Sequence, residues 1–120
     1  MCSDRTIDDI FADVSDQLVI AFDAIFQIVM EWTPMSAGAA THAVVFTNER
    51  AWLIIKPMSK ALDVKFYTDE PVDSDLFKKI TEYKGKYAHH LRIADESDVT
   101  EDVIELLRIG WEWGMGHELH

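Results

Sequence analysis

Ala61-Leu62-Asp63-Val64-Lys65-Phe66-Tyr67-Thr68 alternates apolar and polar side chains along its length. Successive side chains of an extended chain point to opposite faces, so Leu62, Val64 and Phe66 share one layer and Asp63, Lys65 and Tyr67 the other. The stretch reads as a strand, about 61–68, with one greasy and one wet face. Two runs rich in β-branched and aromatic residues precede it, about Thr41–Thr47 and Arg50–Lys56. Turn residues separate the three runs near Asn48-Glu49 and through Pro57-Met58-Ser59-Lys60. Strands this close in sequence predict an antiparallel meander. A fourth, Tyr87–Ala94, places Tyr87, His89, Leu91 and Ile93 on one face and Ala88, His90 and Arg92 on the other.

Helical spacing flanks these strands. Ile7, Ile10, Phe11, Val14, Leu18, Phe22, Ile25, Phe26 and Val29 form a stripe behind a Thr6 cap, predicting one long helix over about 6–32 that Pro34 terminates. Val19, Ile20, Ile28 and Met30 widen its apolar surface, which then needs cover from its own sheet and from a second copy or another helix. Met35–Ala40 reads as a loop of small residues. Asp73–Tyr83 reads as a helix with Leu76, Phe77 and Ile80 buried, leaving through Lys84-Gly85-Lys86. The last helix starts at Thr100, with Val99 and Ile104 placed as a hydrophobic staple. It buries Val103, Leu106, Leu107 and Trp111, is weakened by Gly110, and ends at Gly114 and Gly116, with Trp113 at a cavity rim. The predicted fold is α+β in the order α-β-β-β-α-β-α: a four-stranded, mainly antiparallel sheet with helices on one face. One domain spans 1–120, with the helix about 6–32, sheet and helices about 41–113, and a tail at 114–120.

The 120 residues carry a net charge of -11 and a single cysteine, Cys2. No internal disulfide can form, and the start lacks the basic and apolar regions of a signal peptide, so a cytoplasmic location is expected. Leu18–Met30, the longest apolar stretch, is too short to span a bilayer. The acidic balance argues against nucleic acid as a partner. That charge is uneven: the first 31 residues carry seven acids and one base, the last 26 eight acids and one base, and residues 32–94 seven acids and nine bases.

The strand pair Thr41–Phe46 and Ala51–Lys56, then Ala61–Phe66, Tyr87–Ile93, the acidic run Glu96–Asp102 and the final helix make up about two thirds of the chain. Together they resemble a group of small bacterial domains labelled only "predicted transport protein". The resemblance implies a bacterial domain of unknown function. It transfers no activity onto any residue, and no membrane span here supports the label.

Candidate chemistry concentrates on one sheet face. If Leu53 and Ile55 face the helices, then Trp52, Ile54 and Lys56 face away, joined by Lys65, Tyr67, His90 and Arg92. Trp52, Lys56, Lys65, Tyr67, His90 and Arg92 are therefore the candidate ligand-binding set, an aromatic and cationic surface suited to an anionic partner. The function expected is a noncatalytic small-ligand or protein-interaction module. A homodimer is expected through the N-terminal helix or this open face. One alternative is a small enzyme using His89 or His90 as an acid/base. A deep pocket bringing a carboxylate to either histidine favours the enzyme, and a flat surface the module. Another alternative is a metal carrier, although neighbouring residues on a strand cannot easily chelate one ion. His117-Glu118-Leu119-His120 lacks the spacing of a zinc-protease helix. No cofactor is indicated, no catalytic residue is assigned, and Asp63 and Glu49 stand too isolated to name as an acid/base pair.

Overall fold

The computed structural model describes residues 6–116. The signal-peptide reading, Cys2 and the motif at 117–120 fall on residues outside that range. The elements are α1 (Ile7–Ile10), α2 (Asp16–Val29), β1 (Ser36–Ala39), β2 (Val44–Thr47), β3 (Ala51–Pro57), β4 (Leu62–Thr68), β5 (Phe77–Tyr83), β6 (Lys86–Ile93) and α3 (Glu101–Gly114). The strands form one antiparallel sheet in the order β1-β2-β3-β4-β6-β5. The class is α+β, as expected, but the sheet has six strands where four were expected.

Both extra strands lie at the edges. Ser36–Ala39, read as a loop, pairs with β2. Its small side chains carry no alternation that would mark a strand. The expected helix at Asp73–Tyr83 is instead strand β5, paired with β6. Phe77, Ile80 and Tyr83 suit a sheet, and Ile80-Thr81 is a β-branched pair. The deciding feature is Lys84-Gly85, where φ is 51 and 83. Two successive positive φ values build the tight turn that joins antiparallel strands, not a helix exit.

The N-terminal helix is broken in two. Thr6 and Asp9 form a reciprocal capping box on α1. Ser15 then caps α2 afresh by accepting from Leu18 N–H. The break lets Phe11 fold back onto Phe22, with ring centroids 4.4 Å apart. Phe11 thereby adds cover to the buried stripe of α2, while Ile20 on its widened apolar surface stays half exposed. Leu18, Ala21, Phe22, Ile25 and Val29 are buried, and Phe22 and Phe26 pack on Phe46 of β2.

Helix α3 lies over β3 and β4 on the same side of the sheet. Thr100 caps its start and accepts from Val103 N–H. Gly110 is a contact point: a Cβ there would lie 2.8 Å from Phe66 Cδ2 and 2.9 Å from Trp52 Cε3. Gly114, expected to end the helix, is its last residue and faces the Asn48 side chain. The β2–β3 turn reaches the helix's far end. Asn48 Nδ2 donates to Trp111 O at 2.9 Å, and Arg50 donates to Trp113 O through Nη2 at 2.7 Å and Nε at 3.1 Å. The last turn of α3 holds no basic residue of its own, so Arg50 supplies the cation that a helix C-terminus favours.

Candidate functional site

On β4 and β6 the alternation holds. Val64, Phe66, His89, Leu91 and Ile93 are buried beneath the helices. Register pairs Asp63 with Arg92, Lys65 with His90, and Tyr67 with Ala88. Lys65, Tyr67, His90 and Arg92 therefore share the uncovered face, with Asp63 among them. Lys56 pairs with Asp63 and is exposed on the same face.

Trp52 does not join them. It is fully buried against α3, and its indole N–H has no hydrogen-bond partner. The cause is a β-bulge: Phe46 pairs with Leu53 and Thr47 with Ala51, leaving Trp52 as the extra residue. A bulge breaks the two-residue period, so Trp52 and Leu53 both turn inward. The aromatic character expected of Trp52 comes instead from Tyr67 on the neighbouring strand, at the same end of the sheet. Tyr67 meets Trp113 at 5.8 Å, Lys86 Nζ lies 4.3 Å from the Tyr67 ring, and Lys65 Nζ lies 5.5 Å from it. Trp113 donates from Nε1 to Asp69 Oδ1 at 2.7 Å while Arg50 stacks on its ring at 3.6 Å.

His89 and His90 take opposite roles. His89 Nε2 accepts from Val72 N–H at 2.9 Å, pinning the segment before β5 across the sheet. The ring stacks on Phe66 at 5.0 Å and 9°, with Phe77 at 4.9 Å. Because Nε2 accepts, Nδ1 carries the proton. Nδ1 has no well-aligned acceptor, although the Phe66 and Tyr87 backbones lie near enough to favour protonation. Burial outweighs them and holds the pKa below the usual 6.5.

His90 faces outward, with Nδ1 3.0 and 3.2 Å from the two Asp63 carboxylate oxygens. Asp63 is therefore not isolated. It is the cross-strand neighbour that orients the imidazole.

His90 sits between two concavities. One, of about 340 Å³, is bordered by Lys60, Asp63, Lys78, Lys79 and Arg92 as well as His90. The other, about 330 Å³, is bordered by Lys65, Tyr67, Thr81, Glu82, Tyr83 and Ala88. Lys56 borders neither and lines a separate hollow with His42 and Asp13. Lys78, Lys79 and Tyr83 were missed because β5 was read as a helix. The signal that places them is the Lys84-Gly85 turn next to the already legible β6. Among the described residues, no three His, Cys, Asp or Glu side chains come together to hold a metal ion. No helix there is long and apolar enough to cross a membrane.

These features define an α+β domain with a helix-covered face and an open, cation-bearing face. The family model described as "Domain of unknown function (DUF5655)" matches residues 7–114, and the chain belongs to that family. The match takes in α1 and α2, which the resemblance drawn from Thr41 onward left out. Comparison with curated proteins and with solved structures found no match.

Proposed function

We propose that this chain is a noncatalytic binding module whose open sheet face recognises an anionic group. One observation carries the reading. Lys60, Lys78, Lys79 and Arg92 border a single concavity whose one carboxylate, Asp63, is already engaged by His90. Within a chain of net charge -11, such a concentration of cations creates a local field that attracts anions. Arg92 offers a planar fork of donors and the lysines supply point charges, a combination suited to phosphate or carboxylate. Among the described residues, none of these four cations has an ion-pair partner. The one-cysteine composition agrees with a reducing, cytoplasmic setting.

The test is an amide-resolved NMR titration with inorganic phosphate at low salt. Shifts should concentrate in residues 58–63, 78–79 and 90–92. Arg92→Ala should weaken binding roughly tenfold, the order of one charge-assisted hydrogen bond, without unfolding the protein. Scattered shifts, unchanged affinity in Arg92→Ala, or an unfolded variant would each sink the reading.

The Asp63–His90 contact supports a second reading, a small enzyme using His90 as an acid/base. A carboxylate on Nδ1 fixes the tautomer and leaves Nε2 to take a proton. A turnover lost in both His90→Ala and Asp63→Asn would favour it over simple binding.

A further inference from the structure

The open face carries a second hollow that the anion reading leaves unused. Tyr67, Thr81, Tyr83 and Ala88 border it, and it meets the cation-lined hollow at His90, which borders both. The register explains the arrangement. Ala88 on β6 pairs with Tyr67 on β4 and with Thr81 on β5, and Tyr83 pairs with Lys86. The β5 pairing runs unbroken from Lys79 to Tyr83, so Lys79, Thr81 and Tyr83 share the face of His90, Ala88 and Lys86. Ala88 is the smallest side chain of β6 and forms a low floor between the two tyrosine-bearing strands. With β6 between them, β4 and β5 lie about 10 Å apart, room for one flat ring between aromatic neighbours.

The tyrosines are held in place yet accessible. Lys86 Nζ lies 4.3 Å from the Tyr67 ring and 5.9 Å from the Tyr83 ring, and Lys86 does not border the hollow. Trp113 backs Tyr67 at 5.8 Å. Tyr83 is 54% exposed, so its ring is open to contact. The two hollows differ in chemistry. One offers cations, and the other offers two aromatic rings, the Thr81 hydroxyl and the Glu82 carboxylate. Such a pair suits a ligand with an anion at one end and a flat ring bearing N–H donors at the other. Spacing along β6 sets the length between them. Ala88 lies two positions from His90 and four from Arg92, about 7 and about 13 Å along a strand. A ring bonded directly to its anion is too short for that separation. A base joined to its phosphate through one sugar is not.

We infer that the open face is a mononucleotide site: a nucleoside 5′-monophosphate lays its phosphate in the hollow of Lys79, His90 and Arg92 and stacks its base between Tyr67 and Tyr83 over Ala88. The inference rests on the anion reading and adds the ring to it. Stacking on aromatic side chains tolerates any base, because each has a flat π face. Glu82 at the rim favours a base with an exocyclic amine, which donates to the carboxylate. A mononucleotide places one phosphate on one cluster of cations, whereas the net charge of -11 opposes the extended backbone of a polymer.

The experiment titrates the full chain at low salt with inorganic phosphate, phenyl phosphate, ribose 5-phosphate, adenosine and adenosine 5′-monophosphate, following amide shifts. Inorganic phosphate and ribose 5-phosphate should move residues 58–63, 78–79 and 90–92 only. The nucleotide should move those together with 81–83 and 86–88. It should bind about tenfold tighter than ribose 5-phosphate, the order of one base stacked on an aromatic side chain. Tyr83→Ala, at an exposed position, should remove that advantage while the shifts from inorganic phosphate persist, and Tyr67→Leu repeats the test on β4. Phenyl phosphate should stay near inorganic phosphate. A nucleotide no tighter than ribose 5-phosphate, or an advantage that survives both tyrosine variants, overturns the proposal and leaves the anion reading standing. Phenyl phosphate matching the nucleotide overturns the nucleotide class. Adenosine matching its monophosphate, with no shifts from inorganic phosphate, overturns the anion reading itself, so the two failures are distinguishable.

Discussion

On the helix-covered side of β6, His89 is fully buried between Phe66 and Phe77 and holds Val72 through one backbone bond. On the open side, His90 stands beside Asp63 at a hollow bordered by cations. The two residues share a composition and a strand. What separates them is the layer each side chain enters. The covered face constrains every group by packing, so change there is expensive. The open face holds its groups by cross-strand register and charge, so change there is cheap for stability and consequential for binding. The faces can be set against each other experimentally.

The largest effect is expected from truncating neighbours on opposite faces. Phe66→Ala leaves a cavity beneath α3 and should cost about 3–5 kcal/mol in chemical denaturation, the usual price of a buried Phe. Lys65→Ala, one residue away, should stay within about 0.5 kcal/mol. Comparable losses at both positions would break the contrast.

An intermediate effect is expected at the helix contact. Alanine is a better helix former than glycine by up to about 1 kcal/mol. Gly110→Ala nonetheless drives a methyl into Phe66 and Trp52 and should destabilise by about 1–3 kcal/mol net, as overpacking does. A gain in stability would show that α3 can lift from the sheet at no cost.

The smallest and most specific effect concerns pH. The folded-state pKa of His89 lies below its unfolded value of 6.5, so the unfolded chain binds the proton more readily. The stabilisation from keeping His89 neutral is present above pH 6.5. It is lost as pH falls below 6.5 toward the folded pKa, at no more than about 1.4 kcal/mol per pH unit for one proton. His89→Gln should flatten the dependence of the urea midpoint between pH 6.5 and 5. An unchanged slope would mean that burial of His89 does not contribute to acid sensitivity.

The legible part of the molecule is the part whose local period has one solution. Leu62-Asp63-Val64-Lys65-Phe66 and His89-His90-Leu91-Arg92-Ile93 sort correctly onto two faces because the alternation is unbroken. Thr6 and Thr100 mark helix starts because a capping hydroxyl needs only backbone three residues on. The candidate site was legible to the same degree. Lys65, Tyr67, His90 and Arg92 share a face, whereas Trp52 was misplaced by a bulge that leaves no trace in its own residue type. Asp63 was set aside because its partner is 27 positions away.

The sequence by itself determined which residues of β4 and β6 can be wet and which dry, and where capped helices begin. Side-chain direction along a regular element follows from backbone geometry alone. Only the tertiary structure decided that 77–83 extends along β6, that Ser15 restarts the helix so Phe11 can cover α2, and that α3 presses close enough to require Gly110. Each of those choices weighs a weak local preference against hydrogen bonds and buried area supplied by segments distant in the chain, and the distant terms are larger.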